Sequence, residues 1–208
     1  YAAGDGGGNY FYWDSTSTAT DNGGSIIKPT SVGGAGRWLS LETRITPNIF
    51  GAKGNSSWDD TTAIIAAVAA LPTGRTLYGN PASTYKVSSR IDFNNKNMQG
   101  LTFTYSASAA SIVLIGNAKL KDVTVYVGTT SAAQLSPLSG VVNLHLADGA
   151  VIDNLTIPDG TSAGERTGIY CSTRASNVEI KNCTANYIGF GLLYNDGSGG
   201  GYPAGTRI

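Results

Sequence analysis

Met98-Gln99-Gly100-Leu101-Thr102-Phe103, Leu120-Lys121-Asp122-Val123-Thr124-Val125, Ile152-Asp153-Asn154-Leu155-Thr156-Ile157 and Ile180-Lys181-Asn182-Cys183-Thr184-Ala185 follow one pattern. Each reads apolar, two spacers, apolar, threonine, then a further small or apolar residue. The threonines are 22, 32 and 28 residues apart. Self-similarity at such a period signals stacked units. Between the repeats lie other short apolar runs: Ser111–Ile115, Val141–Leu144 and Gly168–Cys171. Each unit therefore carries two or three short strands and polar turns, and no helix. That is the recipe of a right-handed parallel β-helix. Each strand pairs with its equivalent one coil on, about 4.8 Å away, inward side chains stack as ladders, and turns of variable length project outward. Residues 76–208 would make about five coils, a rod of roughly 25 Å. The unequal spacing argues against a propeller, whose blades need four strands each.

Upstream of the coils the pattern changes. Thr61-Thr62-Ala63-Ile64-Ile65-Ala66-Ala67-Val68-Ala69-Ala70-Leu71 is alanine-rich, with Asp59 or Asp60 as its N-cap and Pro72 and Gly74 as its stop. Ile64, Ile65, Val68 and Leu71 are expected on one stripe, and the alanines make the rest nearly apolar, so the helix should be covered on most sides. Asp59 and Asp60 resemble a catalytic pair, but their place at a helix start makes capping the better account. Before the helix, Asp5-Gly6-Gly7-Gly8-Asn9 leads into Tyr10-Phe11-Tyr12-Trp13 and then into turn-rich polar sequence up to Gly36-Arg37-Trp38-Leu39. Such alternation of turn residues with short aromatic or β-branched runs reads as strands and tight turns. A segment this polar cannot fold alone and must lie against something else. Tyr10, Tyr12 and Trp13 are either a glycan-stacking surface or packing anchors against the following domain or a neighbouring subunit. The fold class is thus all-β: a right-handed parallel β-helix with an N-terminal α-helix and a short glycine-rich β preamble.

Composition bounds the function. The chain has 208 residues, 13% of them charged, with Lys+Arg and Asp+Glu equal at 14 each. Zero formal net charge gives no long-range attraction for nucleic acid or for an acidic membrane. No apolar run approaches the roughly 20 residues of a membrane-spanning helix. The chain opens on Tyr1 with no basic region and apolar core behind it, so no signal peptide is legible. The only histidine is His145, in an alternating strand-like run, which excludes a His/Cys zinc site. Cys171 and Cys183 lack any metal or redox spacing and read as small buried hydrophobes. No metal or cofactor is expected, and no phosphate-binding glycine loop is present. The glycine-rich run Asn195–Gly201 has no cap-like helix after it, so the chain is expected to be the N-terminal piece of something longer.

Glycoside hydrolysis needs two carboxyl groups about 5–5.5 Å apart for retention or about 6.5–9.5 Å for inversion. A lyase needs a base and a cation to stabilise an enolate-like intermediate. The C-terminal half offers Asp148, Asp153, Asp159, Glu165, Arg166, Glu179 and Asp196. Asp159, Glu165 and Arg166 share the loop Pro158–Thr167 and are the best catalytic candidates, against the default of a solvated turn. Asn154-Leu155-Thr156 and Asn182-Cys183-Thr184 fit a glycosylation pattern, but read better as bend positions where Asn satisfies the backbone.

The stretch Ile49-Phe50-Gly51-Ala52-Lys53-Gly54-Asn55-Ser56-Ser57-Trp58-Asp59-Asp60-Thr61-Thr62-Ala63-Ile64 is similar to the FGAKGDG-x-x-DDT-x-AI opening of pectate-lyase-like β-helix proteins, departing at Asn55 where Asp is usual. In that family the segment caps the N-terminal end of the β-helix. The stretch from Gly4 to Thr30, followed by Gly36-Arg37-Trp38, resembles what precedes this opening in bacteriophage tailspikes and capsule depolymerases. The resemblance covers about residues 4–75. It implies a homotrimeric protein on the virion tail, held by phage tail or baseplate proteins, that recognises and often cleaves a host capsular or O-antigen polysaccharide. With the repeat, it divides the chain into a glycine- and aromatic-rich β segment that is virion-proximal or packs against a subunit (1–45), a strand-turn-helix cap (46–75) and the first coils (76–208), and it implies that the catalytic centre lies outside most of this segment. Two other readings stand beside it: a non-enzymatic adaptor or tail fibre, and a secreted bacterial pectate-lyase-like enzyme.

Overall fold

The computed structural model describes residues 9–128, 140–159, 167–171 and 175–186. Strands take up 48% of these residues and helix 9%, the strands arranged in curled parallel sheets behind a small antiparallel one. The antiparallel sheet holds β1 (Phe11–Asp14), β2 (Ile26–Ile27) and β3 (Arg37–Ser40) in the order β1-β3-β2. A 3-10 turn (Pro47–Phe50), β4 (Asn55–Asp59) and α1 (Thr61–Ala70) follow. Then come β5 (Thr76–Tyr78), β6 (Thr84–Val87), β7 (Arg90–Asn94), β8 (Asn97–Gln99), β9 (Thr102–Tyr105), β10 (Ser111–Gly116), β11 (Lys119–Tyr126), β12 (Gly140–Ala147), β13 (Val151–Ile157), β14 (Thr167–Cys171), β15 (Glu179–Lys181) and β16 (Thr184–Ala185). One parallel sheet runs β14-β12-β10-β7. The other runs β15-β13-β11-β9-β6-β4, with β5, β8 and β16 paired alongside.

Register turns the repeat into ladders. Thr102 pairs with Thr124, Thr124 with Thr156 and Thr156 with Thr184, so the four threonines form one outward column. The first apolar position stacks inward as Ile45, Leu77, Met98, Leu120, Ile152 and Ile180. Tyr85, Phe103 and Val125 stack beside it. From the facing sheet Ile91, Ile112, Val142 and Ile169 align, as do Phe93, Leu114, Leu144 and Cys171. Apart from the half-buried Ile45, these side chains are almost wholly buried, and each contributes about 1.5–3 kcal/mol of transfer free energy. Cys171 is thus a rung of the core, and Cys183 packs half-buried against it; both are free thiols.

The bend inside each repeat is made by one position. Gly100, Asp122, Asn154 and Asn182 have φ of 69°, 53°, 60° and 55°. Only Gly, Asn and Asp enter the left-handed region at low cost, which explains their recurrence as the second spacer. Their side chains tie coils together. Asn154 Nδ2 donates to Asp122 Oδ1 at 2.9 Å, and Asn182 Nδ2 donates to Asp153 Oδ1 at 2.8 Å. One coil earlier, a Cβ on Gly79 would lie 1.8 Å from the Gly100 carbonyl oxygen, so only glycine fits that approach.

Helix α1 buries Ile64, Ala67 and Val68 against β6, β7 and the 3-10 turn. Ile65, expected on the buried stripe, is 44% exposed. It lies about 100° round from Ile64, and the face that packs is the 64/67/68/71 set. The two aspartates divide the work. Asp59 Oδ1 accepts the Thr61 N–H at 3.0 Å and the Thr61 hydroxyl at 2.6 Å. Asp60 stands at the N-cap position and its carbonyl accepts the Ile64 N–H at 3.0 Å. Its buried carboxylate turns away from the helix and accepts the N–H groups of Lys53 (2.7 Å) and Gly54 (3.1 Å), which orders the preceding loop. At the other end Lys96 Nζ donates to the Val68 carbonyl at 2.6 Å, which also accepts the Leu71 N–H at 3.2 Å.

Candidate functional site

The N-terminal sheet is too small to enclose a core, so its two faces are defined by what they leave exposed. Arg37 is its clasp. Its buried guanidinium donates to the carbonyls of Ala19 (2.5 Å), Gly34 (3.1 Å) and Gly36 (2.8 Å), drawing two long turns together. Asp14 accepts from the Thr16 hydroxyl at 2.8 Å and from the N–H groups of Thr16 and Ser17, and these bonds, the hydroxyl's foremost, lower its pKa. The Lys28 and Gly23 N–H groups do the same for Asp21.

Alternation along β1 and β3 separates the aromatic candidates. Trp13 pairs with Trp38 across the strands, the rings edge to face with centroids 5.3 Å apart. The Trp13 indole lies over Gly36, where a Cβ would come within 2.5 Å of the ring. Tyr12 pairs with Leu39, and Leu39 with Ile26, on the opposite face. One step on, the Leu41 N–H donates to the Tyr10 carbonyl at 2.8 Å and extends that face. Tyr10, Tyr12 and Leu41 are 76%, 47% and 59% exposed. The aromatic cluster is therefore two surfaces: Trp13 pairs with Trp38 on one, both still part-exposed, while Tyr10 and Tyr12 belong to the opposite, more open apolar face.

Next along the chain after Leu41 lies a groove of about 530 Å³ between residues 42–45 and 71–78. Ile45, Leu71 and Pro72 are its apolar members, and Glu42 and Arg75 its charged ones. The Arg44 guanidinium lies 4.4 Å over the ring of Tyr78, another lining residue. Among the described residues the ion pairs are Arg90–Asp92 and Lys181–Glu179, so neither Arg44 nor Arg75 faces an intramolecular carboxylate at bonding distance. A second groove of about 490 Å³ between α1 and β7 differs in this respect. Arg90 is paired with Asp92 there, and Lys96 is bound to helix carbonyls.

The expected catalytic loop is only partly within the described residues. Asp159 accepts the N–H groups of Val127 at 2.7 Å and Gly128 at 2.8 Å, one on each carboxylate oxygen. It is the brace between two coils. Glu165, Arg166 and Asp196 lie outside the described residues. Asp148 accepts from Ser176 Oγ and Asn177 Nδ2, in that order the causes of its lowered pKa. Glu179 pairs with Lys181 at 3.1 Å. His145 sits half-buried on β12, its Nδ1 enclosed without a hydrogen-bond partner among the described residues. Burial raises the Cys171 thiol to about 11, which removes it as a nucleophile. Among the described residues no group of three or more His, Cys, Asp or Glu could hold a metal ion. Trp58 is 56% exposed, with the Lys53 ammonium 3.9 Å over its ring.

Residues 1–43 match the family described as phage tail protein small four-stranded beta-sheet domain. The N-terminal segment is thus similar to a domain of phage tail proteins, which supports a place on the virion tail. The fold is similar to that of a tailspike. The full-length tailspike protein 2 from Escherichia coli O157:H7 bacteriophage CAB120 superposes with a TM-score of 0.53 at 17% identity, over 96% of this chain. The chain spans about a third of that tailspike, 34% of its length. The enzymatically active domain of bacteriophage CBA120 tailspike protein 2 aligns over 96% of this chain and 38% of its own, at 16% identity and a TM-score of 0.38, too loosely to add to the fold assignment. No curated protein sequence matches the chain.

Proposed function

We propose that the chain is the N-terminal portion of a homotrimeric tailspike that recognises and degrades a host capsular or O-antigen polysaccharide. In this reading residues 1–45 attach the spike to the phage tail or baseplate. Residues 46–75 place α1 as the cap of a right-handed parallel β-helix, as the likeness to pectate-lyase-like proteins suggests, and residues 76–208 supply its first coils. The observation that carries the reading is the six-rung inward ladder from Ile45 to Ile180, set directly behind a phage-tail sheet domain. Such a stack is a stiff rod with bonded coil-to-coil surfaces, suited to presenting an extended polymer-binding face away from a particle.

The described carboxylates of the coils are engaged in structural bonds, which favours placing catalysis on later coils or between subunits. It also keeps a purely adhesive or adaptor spike as the second reading. Glu165→Gln is the variant that examines the loop after Asp159. The test is incubation of the full-length protein with capsular and O-antigen polysaccharides of candidate hosts, following new reducing ends and the ultraviolet absorbance of unsaturated uronates. Reducing ends alone identify a hydrolase, and both signals a lyase. Bound but intact polymer leaves an adhesin, and intact, unbound polymer from the true host contradicts the proposal. Sedimentation of the intact protein as a stable monomer contradicts the trimer.

A further inference from the structure

The open face of the N-terminal sheet leads along the chain, from Leu41 to Glu42, into the groove that Arg75 lines. Tyr10, Tyr12, Leu39 and Leu41 follow the strand alternation on one side, with Ile26 next to Leu39. Three of them expose nearly half or more of their area. Contiguous exposed apolar area of this kind on a soluble protein marks an interaction site. From Leu41 the chain passes directly through Glu42 and Thr43 into the groove wall, which Arg75 also lines, and the Arg44 guanidinium lies over Tyr78, another lining residue. Arg44 is already pre-oriented by its ring contact with Tyr78, which lowers the entropy cost of using it.

We propose that this surface is the docking site for a phage tail protein that offers an apolar patch flanked by carboxylates. The inference rests on the tail-attachment reading and deepens it by assigning the surface and the chemistry of the partner. Three observations select a protein over a glycan. The face mixes tyrosines with leucine and isoleucine, the composition of an interface core. It lies on the segment that matches the phage-tail domain. Among the described residues neither guanidinium group has an acid at bonding distance, so both complement an acidic partner.

The test uses the full-length spike and spike-free particles of the cognate phage, measuring spike bound per particle by co-sedimentation and restored infectivity. Leu41→Asp, Tyr10→Ser and the double charge reversal Arg44→Glu with Arg75→Glu are compared with wild type. The polysaccharide binding and melting of each free spike serve as the folding control. Tyr10→Ser, at the most exposed position, keeps the test informative should Leu41→Asp disturb the sheet. The expected result is that each loses about tenfold or more in loading while binding polysaccharide as wild type does, and that wild-type loading weakens as salt is raised. Loading of all variants at the wild-type level overturns the docking surface while leaving the tailspike reading intact. Normal loading with lost polysaccharide affinity also overturns it, by making the surface a glycan site. A wild-type spike that does not load onto spike-free particles overturns both this inference and the attachment reading on which it stands.

Discussion

Replacing Asn154 by valine tests the claim that one left-handed residue turns every coil. Asn154 holds φ at 60°. A side chain that does not tolerate this region costs about 1–2 kcal/mol there, and a β-branched one sits at the upper end. Valine also removes the 2.9 Å bond from Asn154 Nδ2 to Asp122 Oδ1, which is exposed and worth about 0.5–1 kcal/mol. The sum is about 2–3 kcal/mol. Glycine at the same position removes the bond but keeps the conformation. Its entropic cost of about 0.5–1 kcal/mol is partly offset by relief of the strain that asparagine bears, so Asn154→Gly should cost no more than about 1 kcal/mol. Urea denaturation of the two variants beside wild type measures both. A valine variant as stable as the glycine variant would refute the reasoning, because the backbone would then not be left-handed at that corner.

Other consequences are read more briefly. Leu120→Ala removes a wholly buried rung between Met98 and Ile152 and should cost about 2–5 kcal/mol in the same assay, against little for the outward neighbour change Lys121→Ala. Burial tends to raise the pKa of Asp59, but hydrogen bonds from Ser88 and Thr61 outweigh it and leave the net value lowered. A depressed folded-state pKa stabilises above the unfolded value, and that contribution is lost as pH falls through the folded one. Asp59→Asn should therefore flatten the acid limb of a stability–pH profile. Asp60 has the opposite sign, raised chiefly by burial, so the stability its protonated form contributes is present below its unfolded value and lost as pH rises through the folded one. Cys171, with its thiol raised to about 11, should resist alkylation at mildly basic pH in the native protein and react once unfolded.

The coil repeat was legible because its constraint is local and recurrent. Four threonines at unequal spacing still fall in register, since loops between coils vary in length while paired strands cannot slip without turning their apolar set outward. The helix was legible from its alanines and its stop signals, but the side it buries was not. Ile64 and Ile65 are equally apolar, and only the position of β6 and β7 decides between them. The two aspartates were assigned to a helix start from their position, whereas the use of the Asp60 carboxylate on Lys53 and Gly54 depends on a loop closing back. The aromatic run Tyr10–Trp13 read as one cluster, and strand alternation divides it between two faces. Arg37 stood in a recognised stretch with no role attached. Arg44 and Arg75 carried no signal at all, because the contact of Arg44 with Tyr78 and the groove that Arg75 lines depend on the first rung at Ile45 pairing with Leu77.

The account rests on the stacking of equivalent repeat positions on successive parallel coils, and a pair of engineered cysteines measures this most directly. Thr102→Cys with Thr124→Cys, in a background with Cys183→Ala, places two outward thiols on register partners about 4.8 Å apart, within the span of a disulfide. Thr102→Cys with Thr156→Cys is the control, two coils and about 9.6 Å apart. Mild oxidation of the folded protein, read by non-reducing electrophoresis and peptide mapping, should link the first pair and leave the second open. Failure of the first pair to link, or linkage of the second as readily as the first, would contradict the coil register and with it the rod on which the tailspike reading stands.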